Sequence, residues 1–264
     1  IRRQLAADLG FLLPAVQVSD NLGLKAREYA ILLKGNEIAR FELPAGCDLA
    51  LFPPGSHTPP PAIQGKQAKE PAFGLDALWI PHETTEQARN AGYTVVESIS
   101  ILTTHFSELM KRHAYELLGR QETKKILDRV AEEHPRVVED LVPKLIPLAI
   151  VQKVFQNLLR ERVSIRDAVS ILESLGEAAG ISKNPLLLTE YVRQSIRRTI
   201  VRPYLTSNQE LQAWFLDPKL EQLLESSIEH GEQNSHMNLS PTQMKDFMER
   251  LQKIASSSDI STVI

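Results

Sequence analysis

The chain has 264 residues, a formal net charge of −3 at pH 7, and a composition that is 42% hydrophobic and 24% charged. These values are ordinary for a folded globular protein, and they give no general attraction to nucleic acid or to an anionic membrane. The single cysteine, Cys47, excludes an internal disulfide framework, and no run of about 20 apolar residues indicates a membrane helix. The chain opens at Ile1 without a methionine and ends in Ser261–Ile264, which has the composition of a strand. We therefore expect a fragment of a longer protein.

The N-terminal part predicts short strands and helices in alternation. A helix over 2–9 ends at Gly10, a residue that commonly follows a helix. Apolar residues at 29–33 and 37–43 flank Lys34-Gly35-Asn36, a sequence typical of a tight hairpin turn. The remaining patterns predict strands at 48–52, 77–80 and 93–96 and helices at 84–90 and 100–118. This order indicates a small α/β module.

Residues 53–72 are rich in proline and poor in apolar side chains. Such a composition is typical of an exposed extended loop without regular structure. Docking of this proline-rich segment onto an aromatic groove is the less favoured alternative.

From Gln121 onward the pattern is mostly helical. Ser164 with Asp167 three residues later resembles a capping box, and Ser240-Pro241-Thr242-Gln243 is a helix start of the same kind. A further helix is predicted over 186–202, before Pro203. Residues 211–216 predict a strand, 220–228 a short helix, and 229–238 a loop or linker.

The sequence contains no arrangement of residues that indicates catalysis. His105 and His113 are eight residues apart on one predicted helix, too far to hold a zinc ion together. The glycines form no phosphate-binding loop, and no nucleophile elbow or cysteine–histidine pair is present. We therefore expect no enzyme activity, no metal and no cofactor.

One concentrated basic patch lies on the helix predicted before Pro203. It includes Arg193, Arg197 and Arg198, whose spacing places them on one side of a continuous helix. A structural or intersubunit role is favoured over nucleic-acid contact, because the predicted strands lack the paired aromatic residues that stack on bases. We expect no nucleic-acid partner.

Many short segments, in one order along the chain, resemble the cytoplasmic part of the FlhA family of flagellar type III export-gate proteins, also described as FHIPEP or SctV-like. The segments that carry this resemblance are Ile1–Leu5, Asp20–Leu22, Glu28–Tyr29, Leu33–Arg40, Pro71–Leu75, Trp79–Ile80, Ala91–Val96, Thr104–His105, Glu116–Glu122, Glu139–Pro143, Leu158–Leu159 and Ser164–Asp167.

The resemblance implies an α+β fold of several subdomains. It places the first α/β subdomain at 1–75 and 125–144, an inserted α/β subdomain at 76–124, a helical subdomain at 145–210 and an incomplete C-terminal α/β subdomain at 211–264. It also implies a membrane-embedded N-terminal region outside this sequence, a location at the cytoplasmic face of the bacterial inner membrane, and assembly into a ring of nine copies.

The resemblance further implies that export chaperones carrying their substrates dock between the first two subdomains. The matching positions here are Glu97, Ser100, Ile101, Phe106, Val130 and Ala131, and relatives often carry threonine where this chain has Ala131. For Ile101, Phe106 and Val130 the sequence leaves ordinary core burial open as the alternative.

We therefore expect a docking platform of the flagellar export gate that binds chaperone–substrate complexes, contacts other export-apparatus proteins and passes substrates to the membrane channel. The alternative is an element that builds the ring without recognising cargo, with Arg193, Arg197 and Arg198 at the contact between copies.

Overall fold

The computed structural model describes residues 1–53, 63–232 and 234–257. The chain divides into two compact units, of which the first comprises 1–122 and 158–166 and the second 123–157 and 167–264. Helices and small sheets occur in both units, which confirms the mixed α+β class. The division into four subdomains stays a prediction.

The first unit is built from two small sheets and several helices. In chain order its elements are α1 (Arg2–Leu9), β1 (Glu28–Leu33), β2 (Asn36–Glu42), β3 (Cys47–Leu51), β4 (Lys66–Lys69), β5 (Asp76–Pro81), α2 (Thr85–Asn90), β6 (Thr94–Val96), α3 (Ser98–Arg112) and α4 (Ala114–Leu117), with a single 3₁₀ turn at His82–Thr84. Helices α5 (Arg120–Glu133) and α7 (Leu148–Arg160) contain residues of both units.

Helix α1 ends at Gly10, as the sequence predicts. Gly10 has φ 95°, and its amide donates to the carbonyl oxygen of Ala6 at 2.9 Å. The chain returns to this point after α7, where the amide of Ile165 donates to the Leu9 carbonyl at 3.0 Å. A Cβ atom at Gly10 would lie 2.3 Å from the Arg166 nitrogen. Only glycine satisfies both the left-handed backbone and this close approach.

The predicted hairpin is confirmed as the antiparallel pair β1–β2. Lys34 and Gly35, at its turn, have φ angles of 51° and 84°. Two consecutive positive φ angles match the twist of the strands, which is why a glycine at this turn was informative in the sequence.

A four-stranded antiparallel sheet in the order β4-β5-β3-β6 forms the centre of this unit. Alternate strand residues enter two cores, because successive side chains point to opposite faces. One core joins Ala50, Leu78 and Ile80 to Ala88 and Tyr93. The other joins Leu49, Ala77 and Trp79 to Ile101 of α3. The sheet thus fixes α3 on one face, and the subdomain boundary predicted at 75–76 falls within this sheet.

Two predictions for this unit require correction. Residues 66–69 form the edge strand β4 instead of belonging to an unstructured loop, because they pair with β5; residues 54–62 of the predicted loop lie outside the described residues. The helix predicted over 100–118 is interrupted at His113, which separates α3 from α4. The His113 ring bonds to the Glu116 carboxylate at 2.8 Å across this interruption.

The second unit is mainly helical. Besides parts of α5 and α7, its elements are α6 (Pro135–Leu141), α8 (Ala168–Ala178), α9 (Pro185–Ser195), α10 (Arg197–Val201), α11 (Pro218–Ser227), β7 (Ile228–His230), β8 (Ser235–Met237) and α12 (Pro241–Ser257), with a 3₁₀ turn at Arg202–Tyr204. Buried apolar residues at helical spacing on α7, α8 and α9 form its core: Val151, Val154, Phe155, Ile171, Leu172, Leu175, Leu188 and Val192.

Helix caps confirm one predicted start and correct another. Ser240 and Gln243 form the predicted capping box at α12, with the Gln243 amide donating to the Ser240 hydroxyl at 3.3 Å. At α8 the cap is Asp167, whose carboxylate accepts from the Ser170 amide at 3.2 Å, so the prediction of Ser164 as cap is wrong. The Ser164 hydroxyl instead donates to the carbonyl oxygen of Asp8.

The remaining predictions for this unit are corrected as follows. Residues 211–216 form no strand beyond a single bridge between Leu205 and Leu211, since they lack a continuous partner. The segment predicted as a loop contains the β7–β8 hairpin. The helix predicted over 186–202 is interrupted at Ile196, between α9 and α10. The strand expected at 261–264 lies outside the described residues.

We predict that Gly10→Ala lowers the free energy of unfolding by about 2–4 kcal/mol, combining left-handed strain with the steric overlap at Arg166. Urea unfolding followed by circular dichroism measures the loss. Gly46→Ala is the matched control, because Gly46 also has positive φ (66°) but nothing within 4 Å of its added Cβ. The control should lose only about 1–2 kcal/mol. Equal losses in both variants would contradict the role of the close approach.

Candidate partner-binding surface

The predicted docking residues of the first unit lie at the start of α3, immediately after β6. Glu97 joins the two elements in an extended conformation, and its carbonyl oxygen accepts from the amides of Ser100 and Ile101 at 3.0 and 3.1 Å. The side chains of Glu97 and Ser100 are exposed. These two residues are therefore accessible to a partner.

The inner face of α3 packs in the core. Ile101 is 1% exposed and belongs to the cluster around Trp79, and His105, Glu108 and Leu109 are also buried. Spacings of four, three and one residue place them on one side of the helix. Ile101 thus has the core position that the sequence left open, and a partner reaches its side chain only if α3 moves. Its assignment to the docking surface stays a prediction.

The outer face of α3 carries Ile99, Thr103 and Phe106 at spacings of four and three residues. Ile99 is 65% exposed, and Phe106 is half-buried. The Thr103 hydroxyl donates to the Ile99 carbonyl at 2.7 Å, so its polarity is satisfied within the helix. An apolar and weakly polar stripe thus faces solvent.

The structure adds Ile99 to the predicted set. Ile99 and Ile101 are two residues apart, so they point about 200° apart around the helix. The sequence pattern contained the signal, because both isoleucines cannot join the same apolar face. Choosing which of the two is buried required the sheet beneath the helix.

The other predicted docking residues, Val130 and Ala131, lie on α5 in the second unit. Val130 is 6% exposed and belongs with Ile126 and Leu127 to the buried side of α5, whereas Ala131 is half-buried. Burial of Val130 agrees with the core alternative that the sequence left open. The assignment of Val130 and Ala131 to the docking surface stays a prediction.

A buried carboxylate on β3 connects this strand to α2, next to this surface. Asp48, 5% exposed, accepts from the His82 ring at 2.7 Å and from the Thr85 hydroxyl at 2.8 Å. The Ser98 hydroxyl at the start of α3 reaches the Cys47 carbonyl at 3.5 Å. The strand that carries Cys47 and Asp48 is therefore tied to α2 and to the first turn of α3. No local sequence pattern predicts these contacts, because they depend on pairing between distant segments.

The predicted oligomer-contact residues are divided by the helix interruption at Ile196. Arg193 lies on α9 and approaches the Glu190 carboxylate at 3.7 Å. Arg197 and Arg198 lie on α10 and are exposed, and the Arg197 guanidinium donates to the Gln194 carbonyl at 3.1 Å. The three arginines therefore do not share one continuous helix, although all remain on the same stretch of chain.

The residues that the structure describes hold no group of three or more histidine, cysteine, aspartate or glutamate side chains suited to a metal ion. Within 1–53, 63–232 and 234–257, no helix has the length and apolar character needed to cross a membrane.

Solved structures define the class of fold. The Chlamydia pneumoniae CdsV protein matches with a TM-score of 0.81 and 26% identity, over 99% of this chain and 73% of that one. A nonameric SctV-C structure from EPEC has a TM-score of 0.75 at 24% identity, over 96% and 76% of the two chains, and supports the fold alone. The chain thus has the fold of CdsV and SctV-C.

Sequence comparison places the chain within a family. The model of the FHIPEP family matches residues 1–263. The flagellar biosynthesis protein FlhA of Salmonella typhimurium is 42% identical over 231 residues, which are 88% of this chain and 33% of that protein. FlhA of Bacillus subtilis is 37% identical over 241 residues, 91% of this chain and 35% of that protein. The chain belongs to the FHIPEP family and spans about a third of the length of these curated relatives.

We predict opposite behaviour for the two isoleucines of α3. Ile101→Ala should lower the free energy of unfolding by about 2–4 kcal/mol, because it leaves a cavity under the helix. Ile99→Ala should change it by no more than about 0.5 kcal/mol, because its side chain is already in water. Urea unfolding of both variants measures the difference. A large loss in Ile99→Ala would contradict the assignment of the outer face.

Proposed function

We propose that this chain is a docking platform of the flagellar type III export gate, at the cytoplasmic face of the bacterial inner membrane. It binds export chaperones that carry their substrates, contacts other export-apparatus proteins, and passes the substrates to the membrane channel. Its role is to bind, not to catalyse. Membership of the FHIPEP family and the exposed outer face of α3 support this proposal.

The single observation that carries the proposal is the contrast between the two faces of α3. Ile101 is 1% exposed and fixes the helix to the sheet, whereas Ile99 is 65% exposed two residues away. An apolar side chain held out on a fixed helix loses little conformational entropy on binding, so its burial by a partner contributes directly to affinity. Ser100 and Glu97 supply a polar border to this patch.

A patch of this size favours a weak and reversible complex. Its apolar part consists of Ile99 and the exposed portion of Phe106, with half-buried Leu102 beside them. A partner that buries an apolar helix face here would gain the hydrophobic contribution without a demanding network of charges. Easy release suits a platform that must pass its cargo onward.

Assembly of several copies would raise the effective affinity. One related structure is a nonameric SctV-C, and another is a complex of CdsV with CdsO. If this chain forms a comparable ring, a released chaperone meets further copies nearby at high effective concentration. Modest affinity at each site is then compatible with retention of cargo by the whole assembly.

Titration calorimetry with a purified flagellar chaperone–substrate complex tests the docking site. We expect saturable binding by the unaltered chain and at least about tenfold weaker binding by Ile99→Ala, since truncating a central apolar contact commonly costs more than 1 kcal/mol. Phe106→Ala should weaken binding as well, provided that its circular dichroism spectrum matches the unaltered chain.

The matched control is Ile181→Ala, because Ile181 is 71% exposed but lies in the second unit, away from α3 in the chain. Its affinity should equal that of the unaltered chain. No saturable binding by the unaltered chain, or equal losses in Ile99→Ala and Ile181→Ala, would contradict a docking site on α3.

The second candidate function is that of a ring-building element that does not itself recognise cargo. The exposed guanidinium groups of Arg197 and Arg198 favour it, with Arg193 one helix earlier. Opposite charge on a neighbouring copy would orient the contact and exclude wrong pairings.

Sedimentation velocity over a range of protein concentrations tests this second function. The double variant Arg197→Glu/Arg198→Glu should shift self-association to at least about tenfold higher concentration, because like charges then face each other. Arg120→Glu/Lys125→Glu is the control, since it makes the same change of charge at two exposed positions of α5. A monomeric unaltered chain, or equal shifts in both double variants, would count against a contact through α10.

A further inference from the structure

Among the residues that the structure describes, the β1–β2 hairpin is a separate two-stranded sheet with no ladder to the four-stranded sheet. A two-stranded hairpin has little stability alone in water, so side-chain contacts must hold this one in place. Phe41 and Leu43 pack against the core around Leu49, Ala77, Trp79 and Ile101. At the turn, the Lys34 ammonium donates to the Glu116 carbonyl at 2.7 Å, so side-chain contacts attach both ends of the hairpin.

A histidine of α3 completes this attachment. His105 is 6% exposed and packs beside two hairpin rings, with centroids 5.9 Å from Tyr29 and 6.3 Å from Phe41, both in edge-on geometry. Its Nδ1 is 2.8 Å from the Tyr29 hydroxyl oxygen. Burial, with a smaller contribution from Glu70, raises the pKa of Tyr29, so the hydroxyl keeps its proton. When the ring is neutral with Nδ1 unprotonated, the hydroxyl donates a hydrogen bond to Nδ1; when the ring is protonated, Nδ1 carries a hydrogen and the hydroxyl can only accept from it.

Burial and two charged groups, one of them on α3 itself, shift the pKa of the His105 ring. Burial lowers the pKa of His105, the Glu70 carboxylate raises it, and the Arg112 guanidinium on α3 lowers it. Glu70 is itself buried and is engaged by the amides of Ala72 and Phe73 at 2.9 and 2.7 Å. Glu108, one turn along α3, is paired with Arg162 at 2.6 Å.

We propose that His105 is a proton-sensitive clasp that holds the β1–β2 hairpin to α3 when neutral and releases it when protonated. Uptake of a proton turns Nδ1 from an acceptor into a donor, so the Tyr29 hydroxyl has to reorient, and it places a charge at a buried site among aromatic side chains. The cost of burying that charge favours an opened hairpin in which the imidazole reaches water. The device is independent of the proposed docking function.

The direction of the pH dependence follows from linkage. The pKa of His105 is lower in the closed state than in the opened state, where it approaches the ordinary value of about 6.5. The opened state therefore binds more protons at mildly acidic pH. The closed hairpin is most stable above the pKa that His105 has in the opened state, and its stability falls as pH drops toward the lower pKa of the closed state. The ratio of closed to opened hairpin falls by at most about tenfold for each pH unit between these two pKa values.

Hydrogen exchange of the intact chain, followed by mass spectrometry from about pH 8 to pH 5 and corrected for intrinsic exchange rates, measures opening of the hairpin. We expect protection in peptides from residues 28–42 to fall by at least about threefold at the acidic end. In His105→Gln, which accepts from Tyr29 through Oε1 but does not titrate in this range, protection should be independent of pH.

Two further variants make the test specific. Tyr29→Phe should lower hairpin protection at pH 8 and reduce its pH dependence, even if His105→Gln proves unstable. His236→Gln, at an exposed position of β8 in the second unit, should behave as the unaltered chain. Unchanged protection of the unaltered chain across this pH range, or a pH dependence that persists in His105→Gln, would overturn the proposal.

Discussion

Burial of Ile101 against the four-stranded sheet determines which side of α3 is exposed to solvent. With Ile101 at 1% exposure, α3 has one permitted rotation, and that rotation also buries His105 and Leu109. Side chains on the opposite side, above all Ile99, are left in solvent. The antiparallel sheet beneath is held by pairing between segments far apart in sequence, so the exposed face of α3 depends on the whole unit.

The same rotation separates the two roles that we propose for α3. Its outer face carries an apolar patch with a polar border, which would suit reversible binding of a partner helix. Its inner face, through His105, contacts the β1–β2 hairpin. In the proposed docking site, Ile99 is a better anchor than Ile101, because Ile101 is buried.

Local signals in the sequence predicted the local features. Lys34-Gly35 specified the hairpin turn, Gly10 the end of α1, and Ser240 with Gln243 the start of α12. Two features that depend on a partner strand were predicted wrongly. The polar strand β4 exists because β5 lies beside it, and residues 211–216 were predicted as a strand from composition although a strand needs a partner.

For the candidate site, the resemblance to the family pointed to the start of α3. Which of the two isoleucines there is buried, Ile99 or Ile101, depends on the sheet beneath the helix, which local sequence patterns do not show.

Hydrogen exchange of the chain with and without a bound chaperone–substrate complex is the most direct test of the proposed docking site, because it locates the contact without altering any residue. We predict that protection on binding concentrates in peptides covering 97–107. Protection confined to α9 and α10, with 97–107 unchanged, would contradict it.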